Sequence, residues 1–289
     1  MFQIITLGST SVRGLNGEPT RLTTRRRALA LVALVAASGR EGLSRDRALA
    51  LLWPELNERD ARNNLKQTVF SIRRATHPDI FYPAPANLAI NAAIATVDVH
   101  EYERALSAGA LQSAVDQYGG PFLDGFHVPG MKELERWIER ARGRYALQQA
   151  GALETLAADA TARADTRSAV RWRRRLVEHD PVSTEYALGL ISALVDAGEP
   201  HAALDHIRAH TLLIREEFDA EPDRRIRLAA DEVRQRITLD SAMRPSIPTS
   251  RHESIVPPSV TRIETRRPAR PIRTTPIPPA RSRDTGVNH

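Results

Sequence analysis

The segment from Asp60 to Thr76 constrains the fold most strongly, because its apolar residues recur at helical spacing. Four of them lie three or four positions apart and form one stripe along a helix: Ala61, Leu65, Val69 and Ile72. A helix of this kind has to bury its stripe against other elements of a folded domain. The segment therefore predicts an amphipathic helix that packs by one side only.

The opposite side of this helix carries residue types that suit a DNA major groove. Six side chains lie on that side or on its flank, and none of them is acidic: Asn63, Lys66, Gln67, Phe70, Arg73 and Arg74. Amides can bind adenine edges, cationic side chains can bind guanine edges or phosphates, and an exposed aromatic ring can contact a thymine methyl. A basic helix taken alone is more commonly just a solvated face, so the surrounding elements must decide between the two interpretations.

The net charge of +6 is distributed unevenly along the 289 residues. Residues 1–100 carry +5, residues 101–239 carry −4, and residues 240–289 carry +5. A chain of this length has room for two modest domains. The charge distribution favours an amino-terminal nucleic-acid module joined to a body that has no electrostatic attraction to a polyanion.

Several absences indicate a cytoplasmic protein without a membrane partner. The chain has no cysteine, which excludes disulfides, thiolate metal sites and cysteine nucleophiles. Its amino terminus shows no signal-peptide pattern, and the longest purely apolar run, residues 28–37, is about half of what a bilayer-spanning helix requires.

The first 96 residues predict a winged-helix domain. Residues 2–22 favour a small antiparallel sheet with a tight turn at Asn16-Gly17. Helices are expected at 24–37, after an N-cap at Ser44, and after an N-cap at Asp60. Residues 80–82 and 88–91 then predict two strands around 83–85. In the winged-helix arrangement the second and third helices form a helix-turn-helix, and the third enters the major groove.

Residues 97–239 predict a helical body of the tetratricopeptide type. Helical spacing occurs in seven segments: 101–106, 111–118, 131–161, 166–178, 183–196, 200–218 and 222–237. A shift of 33 positions, close to the repeat length of about 34 residues in such proteins, takes Ala157, Ala160, Ala164 and Ala169 to Leu190, Ala193, Ala197 and Ala202. Asp180-Pro181 and Glu199-Pro200 are expected to mark helix starts.

Residues 240–289, with nine prolines and nine arginines, predict a disordered tail. The fold class is thus mainly α, with an α+β amino-terminal domain.

The order of several short motifs resembles the Streptomyces antibiotic regulatory protein family. In the first hundred residues these are Arg25-Arg26-Arg27-Ala28-Leu29, Ser44-Arg45-Asp46, Leu51-Leu52-Trp53-Pro54, Ala61-Arg62-Asn63-Asn64-Leu65 and Val97-Asp98-Val99. Further along they are Tyr118-Gly119-Gly120-Pro121-Phe122-Leu123-Asp124-Gly125-Phe126, Glu135-Arg136-Trp137, Glu178-His179-Asp180-Pro181 and Asp219-Ala220-Glu221-Pro222. Family members join a response-regulator-type winged helix to a bacterial transcriptional activator domain.

The resemblance implies a DNA-binding activator that recognises direct repeats near a promoter, self-associates on DNA and contacts RNA polymerase. It implies that Asn63, Lys66, Gln67, Phe70, Arg73 and Arg74 face DNA, with Arg25, Arg26 and Arg27 near phosphate. Residues 81–87 depart from expectation, because they offer no Arg or Lys for the minor-groove contact of a wing.

Two other classes of function compete with this hypothesis. An enzyme is not expected, because the sequence shows no phosphate-binding loop, zinc-protease motif or nucleophile elbow, and no catalytic residue or cofactor is assigned. His206 and His210 have the spacing of two metal ligands on a helix, but a third ligand is not evident and a packing role is favoured, so no metal is assigned. A helical adaptor that binds a protein or peptide without specific DNA binding remains the alternative.

Overall fold

The computed structural model describes residues 1–14, 16–82 and 86–243, and helices dominate this part of the chain. The strands are β1 (Phe2–Ile5), β2 (Ser11–Arg13), β3 (Leu43–Ser44), β4 (Asn87–Leu88) and β5 (Ala95–Val97). The helices are α1 (Arg26–Ala36), α2 (Arg45–Leu52), α3 (Glu58–Ala75), α4 (Asp98–Ser107), α5 (Leu111–Gln117), α6 (Lys132–Ala162), α7 (Thr166–His179), α8 (Thr184–Asp196), α9 (Pro200–Phe218) and α10 (Arg224–Met243). The predicted mainly α class is confirmed.

The first strand lies at the centre of a three-stranded sheet. β1 pairs with β2 in antiparallel fashion, as predicted, with Ile4 opposite Val12. It also pairs in parallel with β5, with Ile4 opposite Val97. The prediction of a purely antiparallel sheet within residues 2–22 was incomplete, because alternation in a sequence does not show that distant segments will pair.

The predicted hairpin of residues 80–82 and 88–91 is present in a shortened form. Phe81 lies opposite Ile90, and the Tyr82 amide donates to the Ala89 carbonyl at 2.9 Å. Asn87 and Leu88 instead belong to β4, which pairs with β3. The extent of the hairpin was therefore predicted wrongly, because β3 takes up hydrogen-bonding groups of its second strand. Residues 83–85 of the expected wing lie outside the described residues.

Local capping sets the bounds of α2 and α3. The Ser44 hydroxyl accepts from the Arg47 amide at 3.3 Å, which confirms the predicted N-cap of α2. The cap of α3 was predicted wrongly as Asp60. Asn57 caps this helix instead, since its side-chain oxygen accepts from the Asp60 amide at 3.0 Å. Asn is as good an N-cap as Asp, and here it comes three residues earlier.

One hydrophobic core extends from β1 to the first half of α6. Helix α1 is buried along almost its whole length, from Ala28 to Ala36. In the same core, the Phe122 ring lies 5.3 Å from the Tyr145 ring and 5.9 Å from the Trp137 ring, measured between centroids. The domain boundary predicted at 96/97 thus falls within β5, inside a continuous core.

A second backbone pairing, which we call the junction, joins residues 6–9 to residues 119–124. The Gly8 amide donates to the Pro121 carbonyl at 3.0 Å, and the Leu123 amide donates to the Thr6 carbonyl at 2.7 Å. A Cβ atom on Gly119 would lie 2.9 Å from the Leu7 carbonyl oxygen, closer than packed atoms tolerate. Glycine is therefore required there by close backbone approach, in addition to the turn between helices that the sequence indicated.

The Asp98 carboxylate holds the same segment from the other side. Its oxygens accept from the Thr6 amide, the Leu7 amide and the Thr6 hydroxyl, each at 2.7 Å. Asp98 is also the first residue of α4. Its position means that one side chain connects the end of β1 to the start of the helical body.

The helical body follows the predicted order closely. All seven expected helices occur, six of them within three residues of their predicted bounds, while the last, expected at 222–237, ends six residues later at Met243. Glu199-Pro200 starts α9 as expected. Asp180-Pro181, however, was assigned wrongly, because it lies in the turn before α8, whose N-cap is Ser183. The equivalent positions of the proposed repeat, Ala157 and Leu190, are both buried.

The last described helix runs four residues beyond the predicted boundary at 239, to Met243. The remainder of the predicted tail lies outside the described residues. Within the described part of the chain, no helix has both the length and the apolarity needed to cross a bilayer.

We expect Asp98→Ala to lower the free energy of unfolding by about 2–3 kcal/mol, because two backbone amides would lose a charged acceptor. Urea denaturation followed by circular dichroism measures this change. Asp116→Ala, which removes an exposed carboxylate paired with Arg175, is the control and should cost about 1 kcal/mol or less. Equal effects of the two substitutions would contradict the role given to Asp98.

Candidate nucleic-acid interface

Helix α3 is amphipathic in the way its sequence predicts. Its buried residues are Ala61, Leu65, Val69 and Ile72. They belong to the same core as α1 and α2. The stripe prediction is confirmed residue by residue, and it fixes which side of the helix is turned away from the protein.

The opposite side, which we call the α3 face, is open to solvent. Asn63, Lys66, Gln67, Phe70 and Arg74 are all exposed. The Phe70 side chain is 67% exposed, which is unusual for a large apolar residue. Within residues 1–14, 16–82 and 86–243, the Lys66 and Arg74 side chains form no ion pair. The face thus presents two cations, two amides and one aromatic ring, none of which has a hydrogen-bond or ion-pair partner among the described residues.

Arg73 differs from the other members of the predicted set. It is half-buried, and its Nε atom lies 2.7 Å from Oδ2 of Asp79. Asp79 follows the helix and precedes the shortened hairpin, so no pattern in the sequence indicated this pair. The ion pair neutralises Arg73 and directs it towards the protein, which makes it the least available of the predicted cations.

Arg59 is a candidate that the sequence reasoning missed. Because α3 starts at Glu58, Arg59 lies within the helix, four residues before Asn63, and it is exposed. Residues in the first turns of such a helix are the ones that contact base edges in helix-turn-helix proteins. Recognising Asn57 as the N-cap would have added Arg59 to the face. The two acids of the first turn are occupied, since Glu58 pairs with Arg62 and Asp60 accepts from the Asn57 amide group at 2.8 Å.

The three consecutive arginines before α1 have three different environments. The Arg25 guanidinium donates to the Ser71 hydroxyl, which places a cation beside α3. Arg26 donates to the His127 carbonyl, and Arg27 lies 3.5 Å from Glu55. All three line a shallow groove together with Gln67. Their predicted approach to phosphate stays a prediction, with Arg25 the best placed.

The histidine pair on α9 is held by packing. The two rings of His206 and His210 have centroids 6.4 Å apart, and His210 Nδ1 lies 3.2 Å from the Pro181 carbonyl oxygen. Burial, followed by the charges of His210 and Arg174, lowers the pKa of His206 below its usual value. In the described residues no group of three potential ligands is arranged to hold a metal.

Residues 91–234 match the family model of the Bacterial transcriptional activator domain. The chain is thus similar to that family over just under half of its length. The matched segment begins just before β5 and ends within α10, so it covers the helical body. A search of curated proteins found no significant match.

A solved structure of Mycobacterium tuberculosis EmbR in complex with a low-affinity phosphopeptide is similar in fold, with a TM-score of 0.52 at 17% sequence identity. The similarity covers 81% of this chain and 65% of the EmbR chain. It shows the fold alone, a mainly helical architecture that includes a tetratricopeptide-like domain.

Substitutions on the two sides of α3 should differ sharply in stability. Leu65→Ala removes a buried side chain and is expected to cost about 2–4 kcal/mol. Phe70→Ala removes an exposed ring and should change stability by about 0.5 kcal/mol or less. Thermal and urea denaturation of both variants test the assignment, and a large loss for Phe70→Ala would show that the ring is a packing residue.

Proposed function

We propose that this protein is a sequence-specific DNA-binding transcriptional regulator. In this proposal α2 and α3 are the helix-turn-helix of a winged helix, and the α3 face enters the major groove. The single observation that carries the proposal is this face, on which five exposed side chains from Asn63 to Arg74 have no acid among them, while the four stripe residues on the opposite side are buried. A face selected only for solubility would be expected to include acids.

The chemistry of the face supports base contacts. Asn63 and Gln67 lie four residues apart and can each form paired hydrogen bonds to adenine, while Arg74 can do so to guanine. Lys66 and Arg25 lie at the flanks, where phosphates of a bound duplex would pass. Phe70 offers an apolar contact for a thymine methyl group. These roles are mutually compatible because the α3 residues lie on one side of one rigid helix and Arg25 lies beside that helix.

The activator-domain match supports a role in transcription for the helical body. On that basis we propose that the protein acts without catalysis in the cytoplasm, binds promoter direct repeats in at least two copies, and activates by contact with RNA polymerase. The repeats, the self-association and the polymerase contact come from the family resemblance. The described part of the wing carries no Arg or Lys, so we place the specific contacts in the major groove.

The proposal is tested by selecting bound duplexes from a random DNA library with the full chain. We expect a reproducible motif whose affinity greatly exceeds that for a scrambled duplex and falls as salt concentration rises. Two copies of the motif at a fixed spacing would support the direct repeats. Failure of a folded sample to enrich any sequence would favour the helical adaptor instead.

For the enriched site, Gln67→Ala and Arg74→Ala should each weaken binding by about 1–3 kcal/mol, because each would remove a paired hydrogen bond to a base. Fluorescence anisotropy with labelled duplex measures the affinities. Arg140→Ala, on the exposed surface of α6, removes the same charge as Arg74→Ala and serves as the control. If all three variants bind as tightly as the parent protein, the α3 face is not the interface.

The Arg73–Asp79 pair gives an independent test of the electrostatics. Asp79→Asn keeps an oxygen for the Phe81 amide but removes the charge that holds Arg73. We expect it to raise duplex affinity about 3–10-fold at low salt, since a freed cation adds a phosphate contact. In an Arg73→Ala background the same substitution should have a much smaller effect. An equal gain in both backgrounds would mean that Asp79 acts only by repelling DNA.

A further inference from the structure

Helix α7 carries a row of arginines that the proposed DNA binding does not use. Arg167, Arg171 and Arg174 lie four and three positions apart, so they share one side of the helix. All three are exposed. We call this set the arginine stripe. The stripe lies within residues 101–239, whose net charge is negative, so it is a positive patch on a mainly acidic part of the chain.

The stripe arginines are not engaged in ion pairs with carboxylates of the described residues. Arg175, the next arginine on α7, is already engaged by Asp116 at 2.9 Å and by the Val115 carbonyl. Many exposed arginines of α9 and α10 are likewise paired, for example Arg208 with Asp205 and Arg234 with Asp231. Within the described part of the chain, by contrast, Arg167, Arg171 and Arg174 form no ion pair, and the Asp165 carboxylate beside them accepts from the Ser168 amide at 3.1 Å.

One member of the stripe is held in a defined position. The Arg171 guanidinium lies over the indole ring of Trp172, 3.8 Å from its centroid. Trp172 is buried, so the ring is a fixed platform. A stacked guanidinium keeps its outward N–H groups available, and it loses less conformational entropy when it binds an anion.

The stripe forms one wall of an open cleft of about 730 Å³. Val170 contributes an apolar surface to the cleft, and Ala197 and Glu199 close it from the turn between α8 and α9. Glu178 also lines the cleft, so the lining combines a cationic row with acids. A cleft of this volume accommodates several residues of an extended peptide.

We propose that this cleft binds an acidic peptide segment of a partner protein, whose carboxylates pair with the arginine stripe. Guanidinium groups bind carboxylates through two parallel hydrogen bonds, which gives orientation as well as attraction. The chain's own residues 240–289 do not suit the cleft, because they carry nine arginines against four acids. A DNA duplex is disfavoured by the negative charge of the surrounding segment. This inference does not depend on DNA binding by α3.

The experiment uses the full chain and a fluorescein-labelled peptide of about twelve residues with alternating Glu and Ala. We expect saturable binding by anisotropy that weakens as salt rises, and at least about tenfold weaker binding when Arg167, Arg171 and Arg174 are all changed to Ala. The matched control changes Arg224, Arg227 and Arg236 to Ala. These three arginines are equally exposed but lie on α10, so the control removes the same charge elsewhere.

Three outcomes would overturn the proposal. The first is equal binding of a peptide in which Gln replaces every Glu, and the second is equal loss in the stripe variant and the α10 control. The third is a loss of nonspecific duplex affinity in the stripe variant that matches its loss of peptide affinity, which would make the stripe a DNA surface. Circular dichroism of the stripe variant checks that it is folded. The single variant Arg171→Lys keeps the positive charge but loses the stacking on Trp172, and it should weaken peptide binding about threefold.

Discussion

The carboxylate of Asp98 holds together the part of the structure on which the rest depends. It accepts two backbone amides and one hydroxyl from Thr6 and Leu7, where β1 ends. Buried amides of a strand end need acceptors, and a charged acceptor binds them more strongly than a neutral one. The next residues then pair with 121–124 through the junction. The amino-terminal sheet is thereby fixed to both α4 and the loop before α6.

This attachment determines how α3 is presented. The core that buries its stripe continues from α1 through Phe122 to Tyr145 of α6, so the helix is supported by residues of the helical body as well as by its neighbours. Arg26 adds a contact from the start of α1 to the His127 carbonyl. A surface that reads DNA requires side chains held in fixed positions, and packing of this kind supplies that rigidity. The α3 face and the arginine stripe belong to one compact unit. They differ in composition, since the first mixes amides with cations and the second is a row of cations with Glu178 and Glu199 beside it.

Much of the candidate site could be predicted because α3 is a long helix with a strong period. Its four buried residues follow from spacing alone, and the exposed face follows from them. The bounds were less accurate, since Asn57 and Asp60 are both good caps and only the folded backbone shows which one is used. That difference hid Arg59 from the predicted set. The neutralisation of Arg73 was equally invisible, because Asp79 approaches it only after the chain has turned back from the helix.

The sequence by itself determined the helices of the body, the stripe of α3, and the charge contrast between the first hundred residues and the segment that follows. These features are local, and they depend on periodicity, caps and composition within a short window of chain. Tertiary structure decided the parallel pairing of β1 with β5, the close approach of Gly8 to Gly119, and which arginines remain free. These depend on contacts between residues far apart in the chain, and each is set by backbone geometry and competing partners that a single sequence does not display.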